Sequence, residues 1–279
     1  MITAAYLTTA FAVAGVAAYY LYKNVHIQHA RIMFGMAMLM AIFVSPLQLF
    51  IGDAHGLNTL EYQPRKIAAI EGTWDTEKGA GLRLFAIPDQ QNQTNNYEII
   101  IPKLASLILT HSFDGEIKGL KEWKPEDQPP VIAVFWSFRV MVALGFAMII
   151  TGIFALFLYY RKRLFDTRWF QFWCIVMSPS GFIALLAGWF VTEIGRQPYT
   201  VYEVLRTSES ISPVIGPQIA ITLLAFVIVY SSIFGTACYY IIKLIKKGPK
   251  IGDEKEEFYD HSMLPVQVIK ELTPKTERG

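Results

Sequence analysis

Five stretches of mostly apolar residues are set apart by polar segments along the chain: Thr3–Tyr22, Met33–Gly52, Val131–Tyr160, Trp169–Val191 and Gln218–Ile242. A bilayer-spanning helix needs about 20 such residues, roughly 30 Å at 1.5 Å per residue. Each stretch meets that length, so the pattern predicts an all-α membrane protein with five transmembrane helices. The segment between the second and third stretches is too charged, and too punctuated by Gly, Pro and Asn, to span. The expected organisation is two spans in 1–52, one extracytoplasmic loop segment in 53–130, three spans in 131–245 and a polar tail in 246–279. "GDEKEEFYD" in that tail reads as solvated.

Composition agrees with the pattern. Hydrophobic residues make up 53% of the 279 and charged residues 17%. The net charge of +2 gives no footprint for a nucleic-acid partner, and membrane lipid is the expected surrounding. The placement of the charges says more. Lys23 and Arg31 lie between spans one and two, "RKRLFDTR" (Arg161–Arg168) between three and four, and Lys243, Lys246, Lys247 and Lys250 after five. Alternate threading puts all three clusters on one side, which the positive-inside rule makes cytoplasmic, and segment 53–130 outside. The chain would then start outside, with a span beginning almost at Met1. So abrupt a start is expected of a protein entered midway, its N-terminal half missing. Cys174 and Cys238 fall in apolar spans without a C-x-x-C spacing, so neither a disulfide framework nor a metal site follows from them. The five histidines, at 26, 29, 55, 111 and 261, are expected in loops or the tail, with none in a span.

Three polar intrusions carry the candidate chemistry. In "GWFVTEIGRQPY" (Gly188–Tyr199), Glu193 and Arg196 lie about 60° apart on a helix and Trp189 about 40° from Glu193, so the three share a face. One account is an ion pair snorkelling at a span end, with Trp189 in an aromatic belt. The other is a buried site, Glu193 ligating a metal or relaying protons and Arg196 holding an anionic group. In "FWSFRVMVALGF" (Phe135–Phe146), Arg139 sits in an apolar stretch near its outer end, and Met141 lies about 200° round the helix from it. Met141 is either core filler or a soft ligand; Arg139 either snorkels or meets an anion. In "GDAHGLNTLEYQPRKIAAIEGTW" (Gly52–Trp74), a short helix over Lys66–Glu71 is expected, with Ile67 and Ile70 on its apolar face. Lys66 and Glu71 are about 140° apart, which excludes a built-in pair. They form either a solvated amphipathic turn or a quinone-type site, with a cationic donor for an oxygen and a carboxylate for a proton.

Together these stretches resemble subunit I of the cytochrome bd quinol oxidases. "GWFVTEIGRQP" is similar to that family's G-W-x-x-x-E-x-G-R-Q-P signature, "FRVMV" to its F-R-x-M segment, and "QPRKIAAIEGTW" to its K-x-A-A-x-E segment in the quinol-binding loop. "IPDQ" (Ile87–Gln90) and "GLKEW" (Gly119–Trp123) resemble loop landmarks of the same family. The resemblance runs over nearly the whole chain except the tail and corresponds to the last five of the family's nine spans.

The resemblance implies a quinol:oxygen oxidoreductase of the bacterial cytoplasmic membrane, carrying a low-spin haem b, a high-spin haem b and haem d. Met141 would be one axial ligand of the low-spin haem, with Arg139 near its propionates. Glu193 would be an axial ligand of one high-spin haem, with Trp189 and Arg196 lining that site. Lys66 and Glu71 would contact quinol, with Asp53 and Gln63 as weaker candidates. The implied partners are the missing N-terminal half of subunit I and subunit II of the oxidase. Two departures stand out: Tyr199 replaces the usual Trp after the signature proline, and the histidine opposite Met141 falls just before Met1. The competing account is a non-catalytic or regulatory membrane protein that keeps the fold without a full haem set. A small transporter fits less well, because no pair of broken helices is evident.

Overall fold

The computed structural model describes residues 1–211 and 214–249; the tail that follows, His261 included, lies outside them. Among the described residues, five helical segments are long and apolar enough to cross a membrane. α1 (Ile2–Lys23) and α2 (Ile27–Tyr62) come first, and the short α3 (Pro64–Glu71) follows at once. α5 (Val131–Tyr160) is the third span and α8 (Gly216–Lys247) the fifth, while α6 (Arg168–Met177) and α7 (Ser180–Ile194) together make the fourth.

Two differences from expectation concern α2 and the fourth span. α2 continues through polar residues to Tyr62, so its 36 residues reach about 54 Å. It stops only where Gln63 precedes Pro64, because the residue before a proline is pushed out of the helical region. His29 and His55 therefore lie within this helix, near its ends, and not in loops. The fourth span is broken at Ser178–Pro179, where the Ser180 hydroxyl donates to the Met177 carbonyl. α1 packs against that break through small residues. A Cβ on Gly15 would lie 2.3 Å from Ser178 Cβ, and one on Gly181 would lie 2.6 Å from Thr8 Cα. Close backbone approach of this kind is how helices associate in lipid.

The core has three parts stacked along the bundle. At one end Tyr20, Leu21, Phe34, Met38, Leu158, Phe170 and Cys174 pack together. Leu7, Phe11, Ala41, Met148 and Met177 fill the middle. At the other end Ile67, Ile70, Trp74, Leu120, Val131, Val134 and Val191 join α3 to the ends of α5 and α7. The three basic clusters meet at the first of these ends: Arg31 lies 3.7 Å from Asp166, Arg168 sits over the Tyr22 ring, and the Tyr20 hydroxyl donates to the Ile245 carbonyl. That geometry gathers the basic loops at one end of the bundle and sets α3 at the opposite end. α8 buries no residue and meets the bundle near Tyr20.

Segment 53–130 is more ordered than its composition suggests. A hairpin of β2 (Leu82–Asp89) and β3 (Thr94–Ile101) pairs Leu82 with Ile101 and Asp89 with Thr94. At its turn the Asp89 carboxylate accepts from the Gln91 and Asn92 amides. α4 (Leu104–Thr110) and the short pair β1 (Glu77–Lys78) with β4 (Glu116–Ile117) complete the unit at the α3 end. A second small hairpin, β5 (Tyr199–Val201) with β6 (Leu205–Arg206), follows α7. Among the described residues the structure is mostly helical, as expected, and the strands lie in these connections.

Candidate quinol and haem-ligand site

α3 is built to be buried. Pro64 occupies its first turn, where a missing N–H costs nothing, and Gly72 ends it at φ 64°, a left-handed position that favours glycine. Every residue from Arg65 to Glu71 is buried, including the cation Lys66 and the acid Glu71, at 8% and 5% exposure. Ile67 and Ile70 do form an apolar contact face, but the helix is not a solvated turn. Lys66 and Glu71 do not meet each other. Each is held by a different span.

Glu71 is held by α5. Arg139 Nη2 lies 3.3 Å from Glu71 Oε2, Nη1 donates to the Ile70 carbonyl, and Nε and Nη2 donate to the Arg83 carbonyl at 3.1 and 2.6 Å. The guanidinium also lies 4.0 Å from the centroid of the Phe135 ring. Arg83, buried on β2, adds a second cation beside Glu71 and is itself bound to Thr73, Glu77 and Glu98. Burial raises the Glu71 carboxyl above the usual carboxylate range, and Arg139 and Arg83 oppose that rise. Neutral and ionised forms are thus brought closer in free energy, as a proton acceptor requires.

Lys66 is held by the end of α7. A Cβ on Gly195 would lie 3.1 Å from Lys66 Cγ and 3.3 Å from Cε, so the lysine stem lies along that backbone. Burial lowers the Lys66 ammonium below the usual lysine range; Arg196 lowers it further and Glu193 opposes. Lys66 of α3 and the Glu193–Arg196 pair are therefore neighbours, which their separation of about 130 positions conceals.

Glu193 Oε2 pairs with Arg196, both side chains about two-fifths exposed, so the pair is worth little by itself. Arg196 Nε is buried without a partner. Trp189, 55% exposed, stands one turn before Glu193 on the same open face of α7. Met141 leaves α5 away from Arg139 and directs its sulfur at α7, where a Cβ on Gly188 would lie 3.0 Å from it. Among the described residues no three His, Cys, Asp or Glu side chains gather as a metal site. The donors present are the kinds a haem takes: a thioether, a carboxylate with one oxygen unengaged by Arg196, and an orphaned guanidinium N–H for a propionate. They fit that group.

Asp53 is exposed on α2, nine positions before that helix ends, and does not join α3. Gln63 stands at the α2–α3 junction with its Oε1 buried and unpartnered. The loop landmarks turn out to be fasteners. Gln90 accepts from the Val131 amide at the start of α5 and donates to the Pro129 carbonyl, and Gln128 donates to the Leu120 and Trp123 carbonyls. Arg65, Arg83 and Gly195 were missed. Arg65 and Gly195 lay inside the motifs already singled out. Arg83 had one available signal, as a charged residue in the apolar run "GLRLFAI".

Residues 1–249 match the family described as cytochrome bd terminal oxidase subunit I. The chain is similar to cytochrome bd ubiquinol oxidase subunit 1 of Bacillus subtilis (strain 168), 34% identical over 259 residues, which covers 89% of this chain and 55% of that protein. It is also similar to cytochrome bd-II ubiquinol oxidase subunit 1 of Escherichia coli (strain K12), 26% identical over 314 residues, 89% of this chain and 61% of that one. The solved structure of bd oxidase from Geobacillus thermodenitrificans superposes with a TM-score of 0.78 at 25% identity, covering 88% of this chain and 56% of that chain. The chain thus spans somewhat over half the length of the relatives it matches.

Proposed function

The chain belongs to the cytochrome bd terminal oxidase subunit I family, and on that premise we propose that it supplies the quinol-oxidising loop and part of the haem-binding bundle of a terminal oxidase. The observation that carries this proposal is the burial of α3 between two spans, with Glu71 held by Arg139 and Lys66 laid along Gly195. Lys66 presents a cation to a quinol oxygen. Glu71 accepts the proton that quinol loses on oxidation, and Arg139 keeps that carboxylate placed and its charge compensated. Met141 and Glu193 would hold haem iron, with Trp189 and Arg196 lining the second position and Arg196 Nε available to a propionate. Haems held there supply one-electron transfer and the reduction of oxygen to water.

Arg139 and Met141 make α5 the physical link between the two functions, one side chain reaching the quinol helix and the other turned toward α7. The remaining ligands, subunit II and a bacterial cytoplasmic-membrane location belong to the same proposal. Its test is oxygen consumption driven by quinol in the assembled complex, together with pyridine haemochrome analysis. A complex that binds haem b and haem d and consumes oxygen with quinol supports it. A purified complex without haem would leave a non-catalytic membrane protein that keeps the fold.

A further inference from the structure

We propose that Arg65 is a positioning residue that fixes Lys66 against the end of α7 by locking α3 to the β5–β6 hairpin. This rests on the quinol-site proposal above and adds to it a residue outside the pair expected to touch quinol. Arg65 and Lys66 are neighbours in the first turn of α3, so their side chains leave the helix about 100° apart. Lys66 lies along Gly195 only if the rotation of α3 about its axis is fixed, and an eight-residue helix, marginal on its own, takes its placement from what it packs against.

Arg65 does so by filling a cage. Its guanidinium lies 5.3 Å from the ring centroids of Tyr199 and Tyr202 and 5.6 Å from that of Trp123. Nη1 donates to the Asp127 carbonyl at 2.9 Å, and Nη2 lies 3.2 Å from Glu203 Oε1. The residue is 4% exposed. The cage is tied together in turn, because the Asp127 carboxylate accepts from the Tyr199 hydroxyl at 2.9 Å and pairs with Arg206. Three segments distant in sequence converge on one guanidinium: α3, the stretch 123–127, and the hairpin that directly follows Glu193 and Arg196. The far end of α3 is held by Arg139 through the Ile70 carbonyl and Glu71. One guanidinium thus secures each end of the helix. Only arginine offers a planar fork that stacks on rings and donates in two directions at once.

The test uses the complete, haem-loaded oxidase complex, comparing quinol as donor with an artificial donor that reduces the haems directly. Arg65→Met should raise the KM for quinol by about tenfold or more, with the haem spectrum and the artificial-donor rate unchanged. Arg65→Lys keeps the charge without the fork or the stack and should fall between; it decides the matter if the Met variant does not assemble. Tyr202→Leu, which removes one wall of the cage, should move KM in the same direction. A normal quinol KM in an assembled Arg65 variant overturns the proposal. So does an equal fall of both rates, which would make Arg65 a general fold residue. Absence of quinol oxidation in the unsubstituted complex would overturn the quinol-site proposal itself, an outcome recognisable without any variant.

Discussion

Replacing Arg139 by Met keeps an unbranched side chain in α5 but removes four hydrogen bonds at once: those to the Ile70 carbonyl, the Arg83 carbonyl (two) and Glu71. The Glu71 side chain is 6% exposed and its partner 13%, so this is a buried pair, for which losing one member costs about 3–5 kcal/mol. Glu71 avoids most of that cost by keeping a proton. Its carboxyl already lies above the ordinary range because burial disfavours the charge, and Arg139 is the largest opposing influence. The sign follows: the stability Glu71 contributes is present below the ordinary carboxylate range and lost as pH rises through its raised value, and losing Arg139 moves that loss to higher pH. If Glu71 is the proposed acceptor of the quinol proton, its protonated form is idle as a base. The acid limb of the pH–rate profile with quinol should therefore move to higher pH. Oxidation with an artificial haem reductant should keep its profile. An unchanged quinol profile in an assembled Arg139→Met complex would refute the assignment of Glu71 as the proton acceptor held by Arg139.

Three further outcomes are expected. Glu71→Gln should abolish most quinol-driven oxygen uptake while haem content and artificial-donor activity persist; normal quinol turnover would leave Glu71 a structural acid. Glu193→Ala should remove or alter one haem per assembled complex while the low-spin centre stays reducible by quinol, and an unperturbed haem complement by haemochrome analysis would reduce Glu193 to an ion-pair residue. Gly181→Val places a side chain where a Cβ would already stand 2.6 Å from Thr8 Cα, so overpacking of about 1–3 kcal/mol or more should lower the thermal midpoint of the complex in detergent; an unchanged midpoint would mean α1 is free to move away.

Much of this architecture was legible because spans are selected by length and hydrophobicity, and α5 matched its apolar stretch at both ends. The extension of α2 was not legible, since helix hydrogen bonding continues through polar residues until Pro64 stops it. Nor were the strands between α3 and α5, whose bulged pairing blurs the alternation of period two. At the site, helical angles separated Lys66 from Glu71 and Arg139 from Met141. What they could not supply was the partner of each, because Glu71 with Arg139 and Lys66 with Gly195 are contacts between distant segments. Arg65 escaped for the same reason: its cage is assembled from residues more than 50 positions away.

The depth of Arg139 in α5 has an electrical consequence. From Arg139 to Tyr160 the helix runs about 31 Å, close to the whole thickness of the hydrocarbon layer. Tyr160 adjoins the basic end, so a bilayer matched to this stretch of α5 would put Arg139 and the Glu71 it holds at its opposite face, at the edge of the membrane's electric field. A charge crossing the full field would exchange about 2.3 kcal/mol per 100 mV, whereas a proton that left Glu71, in the role proposed for it, for the nearby face would cross almost none of it. Proton release from quinol should therefore be nearly insensitive to membrane voltage, and collapsing the potential in vesicles should leave the rate of that step unchanged.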